Sequence, residues 1–421
     1  MKKNIPRIIL LFLLLQPFLD VIAGLSTIWD LPNIIGIIFR FSFFIFCGIY
    51  ILFFTKKESK KTKLYLILLI VYLSIFLLHT VITKDTSVFF YELQNTFNTF
   101  YFPVIFIALY QMIEEYQIEI KLSHIILLFF IYNMFVFIPT ITNTNLASYA
   151  ISKTGSMGWF NSANSISSIL SLLLPFTLIY IKNHTKHICI ISITAIITLY
   201  VLFTIGTKVP ILCIGIIILC NIIYYIIYLY KNKKIKQIIS ILCICFILSI
   251  TSILLIPKTS FYKNIQIHMD FLEINSPIEV LKDPYLLDHF IFSQRLSFLK
   301  RTHTNYINAS LTSKIIGIGY IENYGTDEVN LKTIEMDYFD VFYRHGIIGC
   351  ILFFLPLVYY VKKKHHKIEN SFTKLNITIS VCLIFILAFF SGHIFVAPAT
   401  SIIVAMIFIL YDQNNLQETI K

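Results

Sequence analysis

The chain has 421 residues, 57% of them hydrophobic and only 13% charged, with a formal net charge of +12. A soluble domain carries roughly a quarter charged residues, so this composition, with a mean hydropathy of +0.79, excludes a soluble globular protein. The basic excess lies in short clusters between apolar runs, "KKESKKTK" (56–63), "KNHTKH" (182–187), "KNKKIK" (231–236) and "KKKHHK" (362–367), which reads as topology signals and excludes a nucleic-acid surface.

The opening "MKKNIPRIILLFLLLQPFLDVIAGL" begins like a signal peptide. Gln16, Pro17 and Asp20 interrupt it and no clean small-x-small cleavage site follows, so it reads as an uncleaved first span. With this one there are twelve apolar runs, at about 7–27, 32–54, 64–83, 97–113, 122–141, 163–181, 188–206, 209–230, 237–256, 343–361, 375–392 and 396–411. Lipid offers the backbone no hydrogen bonds, so such runs are predicted to be helices. The fold class expected is an all-α polytopic membrane protein of about twelve transmembrane helices, with one large, partly helical extracytoplasmic loop. With the amino terminus inside, the four lysine clusters all fall in the cytoplasm, as does the carboxyl terminus. The chain thus divides into spans one to nine (1–256), the large outer loop (257–342), and spans ten to twelve with a cytoplasmic tail (343–421). All eight cysteines lie in apolar runs, so no disulfide framework is expected.

Ionisable residues at membrane depth often mark function, and Asp20 and Arg40 interrupt the first two spans. "GSMGWFNSANSISSILSLLLPF" (155–176) carries Asn161 and Asn164 and small hydroxyl residues into the sixth span, either as a polar cavity lining or as a helix-packing surface. Lys208, in "FTIGTKVPILCIG", stands between two spans at an outer face, as a snorkelling lysine or one facing an aqueous cavity. In the outer loop, "SQRLSFLKRTHTNYINAS" (293–310) has helical apolar spacing at Leu296, Leu299 and Ile307 and presents Arg295 and Arg301, whose guanidinium groups suit an anionic group such as pyrophosphate. "IIGIGY" (315–320) predicts a tight bend at its two glycines. Last comes "KTIEMDYFDVFYRHGIIG" (332–349), which places Glu335, Asp337, Asp340, Arg344 and His345 against an apolar run. One reading is a helix capped by Thr333 with Glu335 and Asp337 in its first turn and Asp340–Arg344 as a surface pair. The other is a reaction centre.

Four of these stretches, in order, resemble the bacterial O-antigen ligase and O-antigen polymerase superfamily of polytopic inner-membrane glycosyltransferases. "GWFNSANSISSILSLLLPF" resembles the Gly-Phe-x-Asn-x-Asn segment with its following proline. "GTKVPIL" resembles the Ser-Arg-Gly segment, with Lys208 in place of arginine. "QRLSFLKR" leading to "IIGIGY" resembles the arginine helix and Gly-x-Gly turn, and "EMDYFDVFYRHGIIG" is similar to the ligase signature His-Asn-x9-Gly-x-x-Gly. The resemblance covers roughly residues 150–360. Glu335 occupies the position of the signature histidine and Met336 that of the asparagine, a departure that shifts weight from ligase toward polymerase.

The resemblance implies a multi-pass protein of the bacterial plasma membrane that transfers a glycan from an undecaprenyl-pyrophosphate donor to a hydroxyl on a glycan or lipid-linked acceptor. It implies catalytic roles for Glu335, Asp337 and Arg295. Substrate contacts are implied for Lys208, Arg301, Asp340, Arg344, His345, Asn161 and Asn164. Its partners would be these substrates and membrane lipids; no metal, cofactor, nucleotide sugar or nucleic acid is expected. The rival readings are a transporter or flippase of a lipid-linked glycan and a non-catalytic assembly protein.

Overall fold

The computed structural model describes residues 5–31, 34–55, 60–84, 86–149, 153–184, 188–274, 276–321, 334–363 and 371–412. Each apolar run anticipated above is a helix. The amino-terminal helices are α1 (Ile5–Ile28), α2 (Ile34–Ile49, continued by a π-helical turn at Tyr50–Phe54), α3 (Lys60–Thr83), α4 (Phe89–Tyr116) and α5 (Leu122–Thr142). They are followed by α6 (Ala163–Asn183), α7 (Ile188–Ile205), α8 (Val209–Lys231) and α9 (Ile235–Leu255). Among the described residues, nine helices are long and apolar enough to cross a membrane, and two shorter apolar stretches lie within α7 and the last helix. The protein is a multi-pass, all-helical membrane protein.

A helical segment that is apolar on nearly every side belongs in the interior, and the second half of α4 is such a segment. Its residues Phe100 to Ile113 are buried without interruption, and α4 packs against α2, α3 and two carboxyl-terminal helices, Asp337–Lys363 and Pro398–Asp412. The outer helices keep one apolar face uncovered, as at Leu64, Leu68 and Val71 of α3 and Ile218 and Leu219 of α8. In lipid such a face costs nothing, because acyl chains are as apolar as leucine.

The stretch between α9 and the later helices is built of short pieces. These are α10 (Ser260–Phe271), α11 (Pro277–Lys282), α12 (Pro284–Leu286, running into a π-helical turn at Leu287–Phe292), α13 (Arg295–Asn308) and α14 (Leu311–Ile316). The helix expected around Arg295 is therefore α13. Leu299 packs inward against Ile334, Met336 and Tyr343, whereas Ile307 is exposed. Asn264 ties α10 down, donating to the carbonyls of Gly206 (3.0 Å) and Thr154 (2.6 Å).

Three helices complete the chain: α15 (Asp337–Lys363), α16 (Ser371–Phe390) and α17 (Pro398–Asp412). α15 breaks at Gly346, whose φ of 63° is outside helical space. The break lets the Gly-x-Gly turn dock, because the N–H groups of Ile318 and Gly319 donate to the carbonyls of Tyr343 (3.2 Å) and Arg344 (3.0 Å). The two glycine features of the sequence are halves of one contact.

Gly317→Ala is expected to disrupt this contact. Its Cβ would lie 2.2 Å from the Arg344 carbonyl oxygen at a φ of +125°, and backbone strain alone costs about 1–3 kcal/mol. The measurement is thermal unfolding in detergent, with a lowered midpoint expected. Gly48→Ala, where a Cβ meets nothing within 4 Å, should leave the midpoint unchanged.

Candidate functional site

Thr333 lies outside the described residues, but the helix-cap reading of its neighbours does not hold. Glu335 precedes α15, in left-handed backbone with a φ of 59°, and α15 starts at Asp337. Asp340 and Arg344 are buried rather than a surface pair. Both aspartates instead hold backbone. The Asp340 carboxylate accepts the N–H groups of Ile334 (3.0 Å) and Met336 (3.2 Å), on either side of Glu335. One Asp337 oxygen, Oδ2, accepts those of Ile394 (2.9 Å) and Phe395 (2.7 Å), just after His393. Spaced three apart, the two side chains share a face of the first turn of α15, so one helix end fixes two separate loops.

These loops press together. Gly392 has a φ of +62°, and a Cβ there would come within 2.4 Å of the Glu335 carbonyl oxygen. His393, also left-handed at φ 57°, places Nε2 3.9 Å from Oε1 of Glu335. On the other side, Nη2 of Arg295 donates to Oε2 of Glu335 (2.8 Å) and to the Ser391 carbonyl (3.3 Å). A carboxylate therefore sits between a guanidinium and an imidazole. The Arg295 side chain is 9% exposed, that of Glu335 23% and that of His393 33%, so the cluster opens on the imidazole side. Three buried polar atoms here have no protein partner among the described residues, Nε of Arg295, Oδ1 of Asp337 and Oγ of Ser391. Burial by itself would lower the His393 pKa, but Glu335, with Asp337 and Asp340 behind it, raises it above its ordinary value.

The approach to Arg295 is equally determined. Asp288 is buried and caps α13, accepting from the N–H groups of Leu296 (2.8 Å) and Ser297 (3.0 Å). Ser293 and Gln294, both left-handed, turn the chain into the helix. Lys208 stands behind this turn and does not join the Arg295 cluster by any direct bond. Its ammonium donates to the Phe290 carbonyl, lies 3.9 Å from the centre of that ring, and is 3.4 Å from Nδ1 of His268. Burial and the neighbouring Lys153 lower the Lys208 pKa to about 8. Burial and the positive charges of Lys208 and Lys153, with His289, push His268 down to about 4, so His268 is neutral and able to accept. Snorkelling does not describe this lysine; it braces the turn that delivers Arg295.

The other anticipated residues disperse. Arg301 is exposed on α13. Arg344 is buried and donates from Nη1 to the Gly319 carbonyl (3.2 Å). His345 faces away from Glu335, with Nε2 2.8 Å from the Tyr320 hydroxyl and its ring between Phe76 and Phe100. Asn161 and Asn164 stand at the start of α6, and Asn161 lines a separate cavity. Sequence reasoning missed two residues. Glu92, buried in α4, accepts from the N–H groups of Tyr320 and Ile321 and pairs with Lys84 (2.7 Å), anchoring the Gly-x-Gly turn. His393 lay in "SGHIFVAP", where the one available signal was a Gly-His pair in a short connector between two apolar runs.

Among the described residues, no group of three or more His, Cys, Asp and Glu is arranged to share a metal ion. No curated protein and no solved structure matches the chain. A family model described as "O-antigen ligase like membrane protein" matches residues 2–284 and 275–412. That match spans nearly all of the chain, including α13, the Glu335 segment and the His393 loop, and it establishes that the protein belongs to the O-antigen ligase-like family of membrane proteins.

Proposed function

We propose that the protein is a glycosyltransferase that extends or attaches a cell-surface polysaccharide at the outer face of the plasma membrane. Its donor is a glycan on undecaprenyl pyrophosphate, and its acceptor is a hydroxyl of a second glycan or lipid-linked sugar. The observation that carries this reading is the partly open cluster in which Glu335 sits between Arg295 and His393. Transfer needs a base for the acceptor hydroxyl and fixed positive charge beside the departing pyrophosphate, and the cluster holds both.

The acceptor oxygen attacks the anomeric carbon as the bond from that carbon to the pyrophosphate oxygen breaks, and the bonding pair leaves with the pyrophosphate. The acceptor proton passes to Nδ1 of His393, because Nε2 faces Glu335, and from there to solvent. Glu335 orients the imidazole and favours the imidazolium that forms. Arg295 holds Glu335 with one nitrogen and supplies fixed positive charge beside the departing pyrophosphate. Lys208 acts through the α13 turn. Asn161 belongs to the acceptor side.

The direct test incubates purified protein in nanodiscs with the lipid-linked repeat unit and reads chain length on a gel. Longer products support a polymerase, transfer to a separate lipid acceptor supports a ligase, and no transfer of either kind refutes the proposal. A second prediction concerns topology. The reading requires residues 257–342 outside, so a cysteine placed at Asp270, exposed at the end of α10, should react with an impermeant maleimide in intact cells. Labelling only after permeabilisation would put the cluster on the wrong side.

A further inference from the structure

A second polar centre lies beside the cluster. Asp20 of α1 and Arg40 of α2 form a buried ion pair, and the Tyr132 hydroxyl of α5 donates to the second Asp20 oxygen (3.1 Å). Charges at membrane depth are expensive and mark function more often than packing. Here they line a cavity of about 170 Å³, together with Asn161, Ser162 and Ser165 at the start of α6. The opposite wall is Ala397, Pro398 and Ala399 at the start of α17. That wall is tied to the reaction cluster, because the Thr400 hydroxyl contacts the carbonyls of His393, Ile394 (3.1 Å) and Ala397 (3.0 Å).

We infer that this cavity is a binding site for one neutral sugar ring of the acceptor, seated next to His393 by the α17 wall. Size argues for one ring, since the space is well below the roughly 300 Å³ at which pockets for larger ligands begin. Charge argues for a neutral ligand: Asp20 cancels Arg40, so a phosphate would find no net positive charge and a free cation no spare carboxylate. Hydrogen bonding argues for a polyhydroxyl. Asp20 and Ser162 offer acceptors, and among the described residues neither Nη1 of Arg40 nor the Asn161 amide has a protein partner. A ring with adjacent hydroxyls donates to the first set and accepts from the second.

The inference rests on the transferase reading for its role but not for its binding, which separates the two in experiment. The chain has two tryptophans, and Trp159 adjoins Phe160, a cavity residue. In a Trp29→Phe background, full-length protein in nanodiscs is titrated with methyl hexopyranosides and, separately, with inorganic phosphate, reading Trp159 fluorescence. At least one glycoside is expected to shift the emission saturably. Asn161→Ala should weaken it about two- to tenfold, the loss of one hydrogen bond. Ser165→Phe, which fills the cavity, should abolish it while the circular dichroism spectrum is retained. Should Ser165→Phe unfold, the exposed Asn161 variant decides alone. No saturable glycoside signal, a signal untouched by both variants, or a response to phosphate instead would overturn the site. Glycoside binding in a protein that transfers nothing would leave the cavity standing and defeat the transferase reading.

Discussion

His393→Asn is expected to lower turnover about a hundredfold or more, the usual contribution of a general base, with membrane levels and thermal midpoint unchanged. Asparagine is the chosen replacement because His393 is left-handed, at φ 57°, a conformation asparagine tolerates better than alanine. The loss should fall on kcat rather than on the KM of the donor, since the imidazole lies on the open side of Glu335 and away from the Arg295 nitrogens. The pH profile supplies a second readout. The base works neutral, and its pKa is raised from its ordinary value by Glu335, Asp337 and Asp340 against the opposing effect of burial. Activity should therefore climb with pH through a limb above about 6.5, the unperturbed histidine value. If His393→Asn turned over normally, the imidazole would have no part in the proton transfer.

Glu335→Gln should cost about two orders of magnitude of turnover. The isosteric amide keeps the left-handed backbone and the Asp340 bonds to Ile334 and Met336, so folding and insertion are expected to be normal. The charge that orients and favours the imidazolium is lost. The same variant should move the acidic limb to lower pH, because the main group raising the His393 pKa has gone. A Glu335→Gln protein with wild-type turnover and an unmoved limb would make Glu335 a loop contact only. Combining the two substitutions should cost little more than either alone, because two groups that act as a unit are not additive.

Membrane character and the helices could be read from the residues alone. Both follow from local facts: long apolar runs, and a backbone that lipid leaves no alternative but to bond to itself. The sequence also marked Arg295, Glu335, the Gly-x-Gly turn and the glycine break at Gly346 as special, since glycine and charge in apolar surroundings are legible one residue at a time.

Which residues stand next to one another followed from the packing of the helices. His345 is nearer to Glu335 in the chain than His393 is. One position past Arg344, it projects about 100° further round the helix, into the Phe76–Phe100 box. His393 reaches Glu335 because Asp337 and Asp340, one turn of α15, clamp two loops that are far apart in sequence. Lys208 and Arg295 both carry positive charge, yet one braces a turn and the other holds the carboxylate. Composition and spacing give the charge of each residue. The partner of that charge is set by long-range packing of helices across the bundle, which no local pattern encodes.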